Sequence, residues 1–283
     1  MRVLVVPNIA NTAAVNAARE LAAWLTRSGA VPLLVTDDAV ACDLGAHGVE
    51  RSDVGAPSLV VALGGDGTIL KAVHLLGTME VPVLGVNLGR LGFLAGARAE
   101  MLMESVEAAL AGEGRIERRG TLEATVRVDG REAGTYRALN EVFLGRGSDL
   151  RVIDVGIAVN GSQMARVRCD GVVVATSTGS TAYALSAGGP IVSPEVACAV
   201  VVPVAPHTVR SRPLVVSASD HVELVLYDTA TREARVAIDG VLMPCDSDIG
   251  AVSIVRGAHD VLIVKLDGRD FFGVVAAEFL GGP

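Results

Sequence analysis

Apolar and polar positions follow two rhythms along this chain, and the change falls near Gly120. Before it, short β-branched runs alternate with stretches of helical period. Residues 2–6 read as a strand, and residues 12–28 as a helix with Val15, Ala18, Leu21, Ala22 and Leu25 on one face and Gly29 as its stop. The same reading gives strands at 31–35, 58–63 and 81–86 and helices at 68–76 and 101–111. Strands and helices taken in turn predict a Rossmann-like parallel α/β layer.

After Gly120 the alternation becomes strand against tight turn. Residues 121–128 and 133–139 flank Asp129-Gly130, and residues 152–159 and 163–168 flank Asn160-Gly161, both two-residue signals for type I′ hairpins. Further strands are predicted at 199–204, 214–217, 221–227, 235–238 and 261–266. The expected organisation is an α/β domain over 1–118, a mostly β, sandwich-type domain over 119–266, and a terminal segment 267–283 that returns to the first domain.

Composition narrows the function classes. The 283 residues are 51% apolar and 20% charged, with a net charge of −8 and a mean hydropathy of +0.48. An acidic balance without a dense Lys/Arg run argues against long nucleic acids and anionic membranes as partners. It leaves open a small polyanion, held by a few backbone N–H groups, a metal ion and one or two Arg. Five Phe, three Tyr and one Trp leave few rings for stacking bases. Residues 171–194 carry no charge, but Gly179, Gly188, Gly189, Pro190 and several hydroxyl residues interrupt them. A spanning helix needs about twenty predominantly apolar residues, so none is predicted there. The first eight residues do not read as a secretory signal, and a cytoplasmic protein is expected. Cys42, Cys169, Cys198 and Cys245 have no CxxC spacing and read as reduced structural thiols, with Cys169, beside Asp170, the one to watch for oxidation.

The sharpest local feature is Gly64-Gly65-Asp66-Gly67-Thr68, between an apolar strand and a helix. Glycines let the backbone approach a ligand closely, and the next helix offers unpaired N–H groups to an anion. The pattern is neither the Walker motif nor GxGxxG. A carboxylate beside phosphates is repulsive unless it meets Mg²⁺ or takes a proton from an attacking hydroxyl, so Asp66 is the informative residue; the plain alternative is an N-cap.

Four more segments join this loop in a recognisable order. They are Val86-Asn87-Leu88-Gly89-Arg90-Leu91-Gly92-Phe93-Leu94, then Leu139-Asn140-Glu141-Val142. Arg168-Cys169-Asp170-Gly171 follows, running into Thr178-Gly179-Ser180-Thr181-Ala182-Tyr183-Ala184-Leu185-Ser186-Ala187-Gly188-Gly189-Pro190. Last come Pro206-His207-Thr208 and Arg212-Pro213-Leu214. In these the chain resembles, over nearly its whole length, the NAD kinases, which phosphorylate the adenosine-ribose 2′-hydroxyl of NAD from ATP or polyphosphate. Diacylglycerol and sphingosine kinases and 6-phosphofructokinases share versions of the glycine loop alone.

The resemblance implies that Asp66 accepts the proton of the 2′-hydroxyl, and that Gly64, Gly65, Gly67 and Thr68 face the nucleotide. It implies contacts to the dinucleotide from Asn140, Glu141, Arg168, Asp170, Thr178, Thr181, Ala182, Tyr183, Ala184, Leu185, Ser186 and Ala205. It implies Mg²⁺ or another divalent cation, held mainly by the phosphates of the donor, and a homodimer or homotetramer. Lys71, one helical turn beyond the loop, is either a phosphate contact or a solvated surface lysine. Phe93 and Tyr183 are either rings packed on adenine or nicotinamide or parts of the core, and His207 reads as structural.

The chain departs from the family where Ser177 replaces a proline and where Val241 follows Asp239-Gly240 in place of a glutamine. Two other functions remain consistent with the residues: a homologous kinase for NADH or another nucleoside or lipid alcohol, or a dinucleotide sensor without catalysis. With so few rings, the dinucleotide is expected to be held mainly by hydrogen bonds.

Overall fold

The expected α/β alternation is present in the computed structural model, which describes residues 1–89, 92–148, 151–227, 233–244, 249–266, 268, 270–279 and 281. Arg90 and Leu91 of the quoted motif, and Cys245, lie outside the described residues. The chain divides into two units, Met1–Arg118 with Val261–Pro283, and Arg119–Asp260.

The first unit begins with β1 (Arg2–Pro7), α1 (Thr12–Arg27), β2 (Val31–Val35), α2 (Thr36–Ala41), β3 (Gly48–Val49), β4 (Leu59–Gly64) and α3 (Asp66–Leu76). It continues with β5 (Pro82–Asn87), β6 (Ala97–Arg98), α4 (Leu102–Leu110) and β7 (Arg115–Arg119). Helix α1 forms where its period predicts: the Asn11 side chain caps it by accepting from Ala13 N–H, and it buries Ala14, Ala18, Leu21, Ala22 and Leu25. Helix α3 starts two residues before the predicted Thr68, because Gly65 serves as its N-cap and accepts from Thr68 N–H at 2.9 Å.

The second unit contains β8 (Leu122–Val128), β9 (Arg131–Ala138), β10 (Glu141–Arg146), β11 (Ile153–Val159), β12 (Ser162–Cys169), β13 (Gly171–Thr176) and the single turn α5 (Tyr183–Ser186). Then follow β14 (Cys198–Val204), β15 (Leu214–Ser217), β16 (Val222–Tyr227), β17 (Ala234–Ile238), β18 (Val241–Leu242) and β19 (Ile249–Arg256). They form two antiparallel sheets, in the orders β15-β14-β13-β10-β17-β18 and β12-β11-β16-β19-β8-β9. Val142, Leu144, Val172, Val174 and Val236 of one sheet share a core with Val126, Val155, Ile157, Leu224 and Val252 of the other. The opposite face of β13 and β14 is covered in turn, with Val173, Ala175, Val200 and Val202 packed around Ala184 of α5. Both predicted hairpins have the left-handed pairs they require, Asp129 and Gly130 at φ 49° and 74°, Asn160 and Gly161 at 49° and 79°. Asp239 and Gly240, at φ 48° and 79°, make a third turn of this kind between β17 and β18.

The chain then returns to the first unit as β20 (Val261–Lys265) and α6 (Phe271–Phe279). Strand 261–266 was expected in the β domain and the return only from residue 267. Instead β20 pairs in parallel with β5, in a sheet of order β3-β2-β1-β4-β5-β20-β7. Its Val-Leu-Ile-Val run is that of a strand covered on both faces, which parallel layers require. Strand order reverses between β1 and β4, and in such sheets the crevice at the strands' carboxyl ends is where ligands bind. No helix among the described residues is long and apolar enough to cross a membrane.

Candidate functional site

The glycine loop leaves the carboxyl end of β4 at that crevice. Gly64 is required by the protein's own packing: a Cβ there would lie 2.3 Å from Thr68 Oγ1 and 3.1 Å from the Asn8 Cβ at the end of β1. Thr68 is accordingly buried, its hydroxyl folded over Gly64. A Cβ on Gly65 or Gly67 would meet no protein atom within 4 Å. Packing does not demand glycine at these two positions, whereas close approach of a ligand to their backbone would.

Asp66 opens α3 and turns its carboxylate onto the segment after β5. Phe93 N–H donates to Oδ2 at 2.9 Å and Leu94 N–H to Oδ1 at 3.1 Å. Gly92 makes room for it, since a Cβ there would fall 2.2 Å from Oδ1. Each oxygen keeps acceptor capacity beyond the one bond it makes. The carboxylate is therefore fixed by amide dipoles without being neutralised by a cation in those contacts.

Two residues of this unit are otherwise engaged than the ligand readings supposed. Lys71 Nζ lies 2.6 and 2.8 Å from the two carboxylate oxygens of Asp38, which is 2% exposed, so the lysine is paired with a buried acid in α2. The Phe93 ring packs on Phe271 and Phe279 of α6, with centroids 5.7 and 5.9 Å apart. That ring is half-buried against α6.

In the second unit, Asn140 and Glu141 occupy the entry to β10, held by Asp239, which the sequence marked only as the residue before Gly240-Val241. Asp239 Oδ1 accepts from Asn140 N–H at 2.7 Å and Glu141 N–H at 3.0 Å, while its Oδ2 accepts from Leu139 N–H at 2.9 Å. From the other side, a Cβ on Gly179 would stand 2.1 Å from the Asn140 carbonyl oxygen, so glycine lets the 178–181 turn press against this backbone. Thr176 ties the two together, donating its hydroxyl to Leu139 O and accepting from Gly179 N–H. Glu141 is 6% exposed and its Oε2 has no hydrogen-bond partner. Burial, and secondly the negative charge of Asp239, push its carboxyl up to about 7, against the Tyr183 N–H that favours the ionised form.

Tyr183 stands at the start of α5, 38% exposed, with its ring edge-on to Phe143 at 5.2 Å. Gly145 and Gly171 exist to seat that Phe143 ring, which a Cβ on either would meet at 2.3 Å. Burial raises the pKa of the Tyr183 hydroxyl, and the charges of Asp170 and Glu141 add to the effect, so both carboxylates act on one phenol. Asp170 sits where the chain passes from β12 in one sheet to β13 in the other, with Arg146 Nη2 3.4 Å from its Oδ2. Arg168 is exposed, and its carbonyl accepts from His207 N–H, which gives His207 a structural tie. Ala205 is exposed at φ 47°. Thr178 is buried 3.5 Å from Arg119 Nη1; Thr181, Ala182 and Leu185 are half-buried, Ser186 is exposed and Ala184 belongs to the core. Both ring candidates have aromatic neighbours, and Tyr183 is the more exposed of the two.

Cys169 is wholly buried, and its thiol is pushed up to about 11, first by burial and then by Asp170 and Asp154, against a Gly171 N–H bond. Held as a neutral thiol, it lacks the thiolate that oxidation requires. Arg146 and Lys265 were not singled out from sequence, and Asp239 was quoted there without its contacts to Leu139, Asn140 and Glu141. The Asp-Gly pair at 239–240, read as a hairpin turn like its two counterparts, would have marked Asp239.

The chain matches two family models, the ATP-NAD kinase N-terminal domain over residues 3–114 and the ATP-NAD kinase C-terminal domain over residues 139–266. It is 35% identical over 274 residues to an NAD kinase of Geobacter sulfurreducens, covering 94% of this chain and 93% of the relative. With an NAD kinase of Symbiobacterium thermophilum it shares 37% identity over 280 residues, 95% of each chain. Among solved structures, yeast NADH kinase complexed with NADH superposes with a TM-score of 0.90 at 26% identity, over 99% of this chain and 87% of that one. An NAD kinase from Archaeoglobus fulgidus in complex with ATP gives 0.75 at 28% identity, over 98% and 99%.

Proposed function

The chain belongs to the NAD kinase family, and from that premise we propose how its residues divide the work of moving a phosphoryl group from ATP to the adenosine-ribose 2′-hydroxyl of NAD. The observation that carries the reading is the amide-held carboxylate of Asp66 beside glycines that packing does not need. In the first unit, Gly65, Gly67 and the N-terminus of α3 receive phosphate, and Asp66 takes the proton of the attacking hydroxyl. A ribose hydroxyl is a weak nucleophile at neutral pH, and transfer to a positioned carboxylate contributes about 10²- to 10⁴-fold. Alignment and charge neutralisation supply most of the remainder.

In the second unit, the vacant Oε2 of Glu141 accepts a hydroxyl of the dinucleotide, with Asn140, Asp170 and Tyr183 as neighbours. Arg168, Thr178, Thr181, Ala182, Ala184, Leu185, Ser186 and Ala205 line the remainder. Most of these contacts are polar or backbone, in keeping with a ligand held by hydrogen bonds. Lys71 is left to its structural pair with Asp38.

Among the described residues no three His, Cys, Asp or Glu side chains gather as a metal cage. Mg²⁺ that arrives on the nucleotide and is held mainly by the donor's phosphates needs no such cage, and Asp66 is left as the base. When bound, the ion would neutralise phosphate charge. The protein is assigned to the cytoplasm and to a homodimer or homotetramer, which light scattering tests.

A second acceptor deserves its own arm, because the solved structure with the TM-score of 0.90 is an NADH kinase. Purified protein is incubated with NAD or NADH, Mg²⁺, and ATP or polyphosphate, and the phosphorylated product is read with NADP-specific enzymes. NADP from NAD with ATP is the expected outcome; no product from any pair sinks the reading and leaves a sensor. Full activity in Asp66→Asn sinks the base assignment alone.

A further inference from the structure

Three adjacent strands of the first sheet, in the order β4-β5-β20, bring three pieces of one device to their carboxyl ends. Asp66 follows β4, the segment 92–95 follows β5, and Lys265 is the last residue of β20, a strand from the far end of the chain. We infer that Lys265 is a positioning residue for phosphoryl transfer, its ammonium fixing the peptide group that holds the Asp66 carboxylate. This rests on the reading of Asp66 as the base.

Lys265 Nζ donates to Phe93 O at 3.0 Å and to Ala95 O at 2.6 Å. The Phe93 carbonyl and the Leu94 N–H belong to one planar peptide group, so holding the oxygen sets the direction of the N–H. That N–H donates to Asp66 Oδ1 at 3.1 Å. A cation on the carbonyl also polarises the peptide and strengthens its N–H as a donor. The second contact, at Ala95, grips the chain on the far side of Leu94 and resists rotation of the segment between them.

The backbone around this grip is closely fitted. Gly96 N–H donates to Gly85 O in β5 at 2.9 Å, and Leu266 N–H to Gly96 O at 3.0 Å. A Cβ on Gly96 would lie 1.9 Å from Val264 O, so the segment is pressed directly against β20. Lys265 thus acts from a strand paired within the sheet, through one peptide group, on the carboxylate. It need not touch substrate.

Positioning predicts a kinetic signature that lost stability alone does not produce. A misplacement of about 1 Å can cost about 100-fold in rate. Lys265→Met is expected to lower kcat about 10- to 100-fold while KM for ATP and for NAD stays within about threefold, because the residues assigned to binding are untouched. Lys265→Arg, which keeps the charge and a pair of donors, is expected to recover at least a third of the lost kcat. All are assayed at least 15 °C below their own unfolding midpoints, beside the parent and Asp66→Asn. If Lys265→Met does not fold, Lys265→Gln, with one amide donor for the two carbonyls, is read by the same criteria. An unchanged kcat, or a raised KM with kcat intact, overturns the inference. A parent that makes no NADP condemns the function instead, and an Asp66→Asn variant with full kcat condemns the base assignment, so the three failures are distinguishable.

Discussion

Replacing Glu141 with Gln exchanges a buried ionisable group for a neutral one of the same shape, and the effect should depend on pH in a calculable way. Glu141 is 6% exposed, with Oε2 unpartnered. Burial first, and Asp239 second, raise its carboxyl from 4.5 to about 7. A rise of about 2.5 units at about 1.36 kcal/mol each is a cost of about 3 kcal/mol for keeping the charged form in the fold. The folded protein holds this proton more tightly than the unfolded chain does. The stability associated with the neutral carboxyl is therefore fully present below pH 4.5, declines as pH rises, and is lost once pH has passed through about 7.

Gln never ionises. Its amide N–H₂ stands where Oε2 finds no partner, an expense of about 1–3 kcal/mol at every pH. At pH 4.5 the parent's neutral carboxyl has the same unpartnered position, so the two proteins should be of similar stability there, and the variant should gain about 3 kcal/mol on the parent between there and pH 8.5. Urea unfolding at both pH values, without nucleotide and followed by far-ultraviolet circular dichroism, reads the difference. A gap between the two proteins that stays constant within about 1 kcal/mol over this range would refute the argument. NAD binding supplies a companion: a hydroxyl donor prefers the ionised acceptor, so the parent's KM for NAD should fall as pH rises through about 7, and the variant's should not.

Two further substitutions test the surroundings of the same residues. Gly179→Ala drives a Cβ to 2.1 Å from Asn140 O, and with backbone on both sides neither partner can yield cheaply. It should lose about 1–3 kcal/mol of stability and raise KM for NAD more than KM for ATP, as thermal unfolding and initial rates will show. Ser177→Pro should do the opposite to stability: at φ −58° the site already has the proline angle, so the family's proline should add about 0.4–1 kcal/mol, read as a higher unfolding midpoint.

The elements visible in the sequence were those whose environment leaves a periodic trace. Helix α1 buries one face, so its apolar residues recur at helical spacing; β8 and β9 meet at a turn whose two residues must be left-handed, and Asp129-Gly130 says so. Strand β13 gave no such trace. All six of its residues are buried, one face against the second sheet and the other under α5, and a strand covered on both sides does not alternate. Strand β20 looked like another strand of the β domain because periodicity carries no information about which sheet a strand joins. The glycine loop was legible because its glycines are adjacent in sequence. The supports of the site were not: Asp239 reaches N–H groups 98 to 100 residues earlier, and Lys265 reaches carbonyls 170 and 172 residues earlier.

Some acids of this chain are paired with a cation, while others are held by backbone N–H groups, as Asp239 is by those of Leu139, Asn140 and Glu141. Asp38 takes Lys71 on both oxygens, and Asp154 takes Arg166 at 3.0 and 2.9 Å; each charge is cancelled by its partner. Asp66 is held by the N–H groups of Phe93 and Leu94, and Glu141 by the N–H of Tyr183. An amide dipole fixes a carboxylate without supplying a full opposite charge, and each carboxylate keeps acceptor capacity for a substrate hydroxyl. Asp170, with Arg146 at 3.4 Å and its own charge felt by Tyr183, lies between the two cases. The same economy of cations answers how a chain of net charge −8 can receive two nucleotides. On the proposed reading, backbone N–H groups at the start of α3 meet phosphate, and Lys265 acts on Asp66 from behind a peptide group, so that it orients the base without placing a cation on its carboxylate.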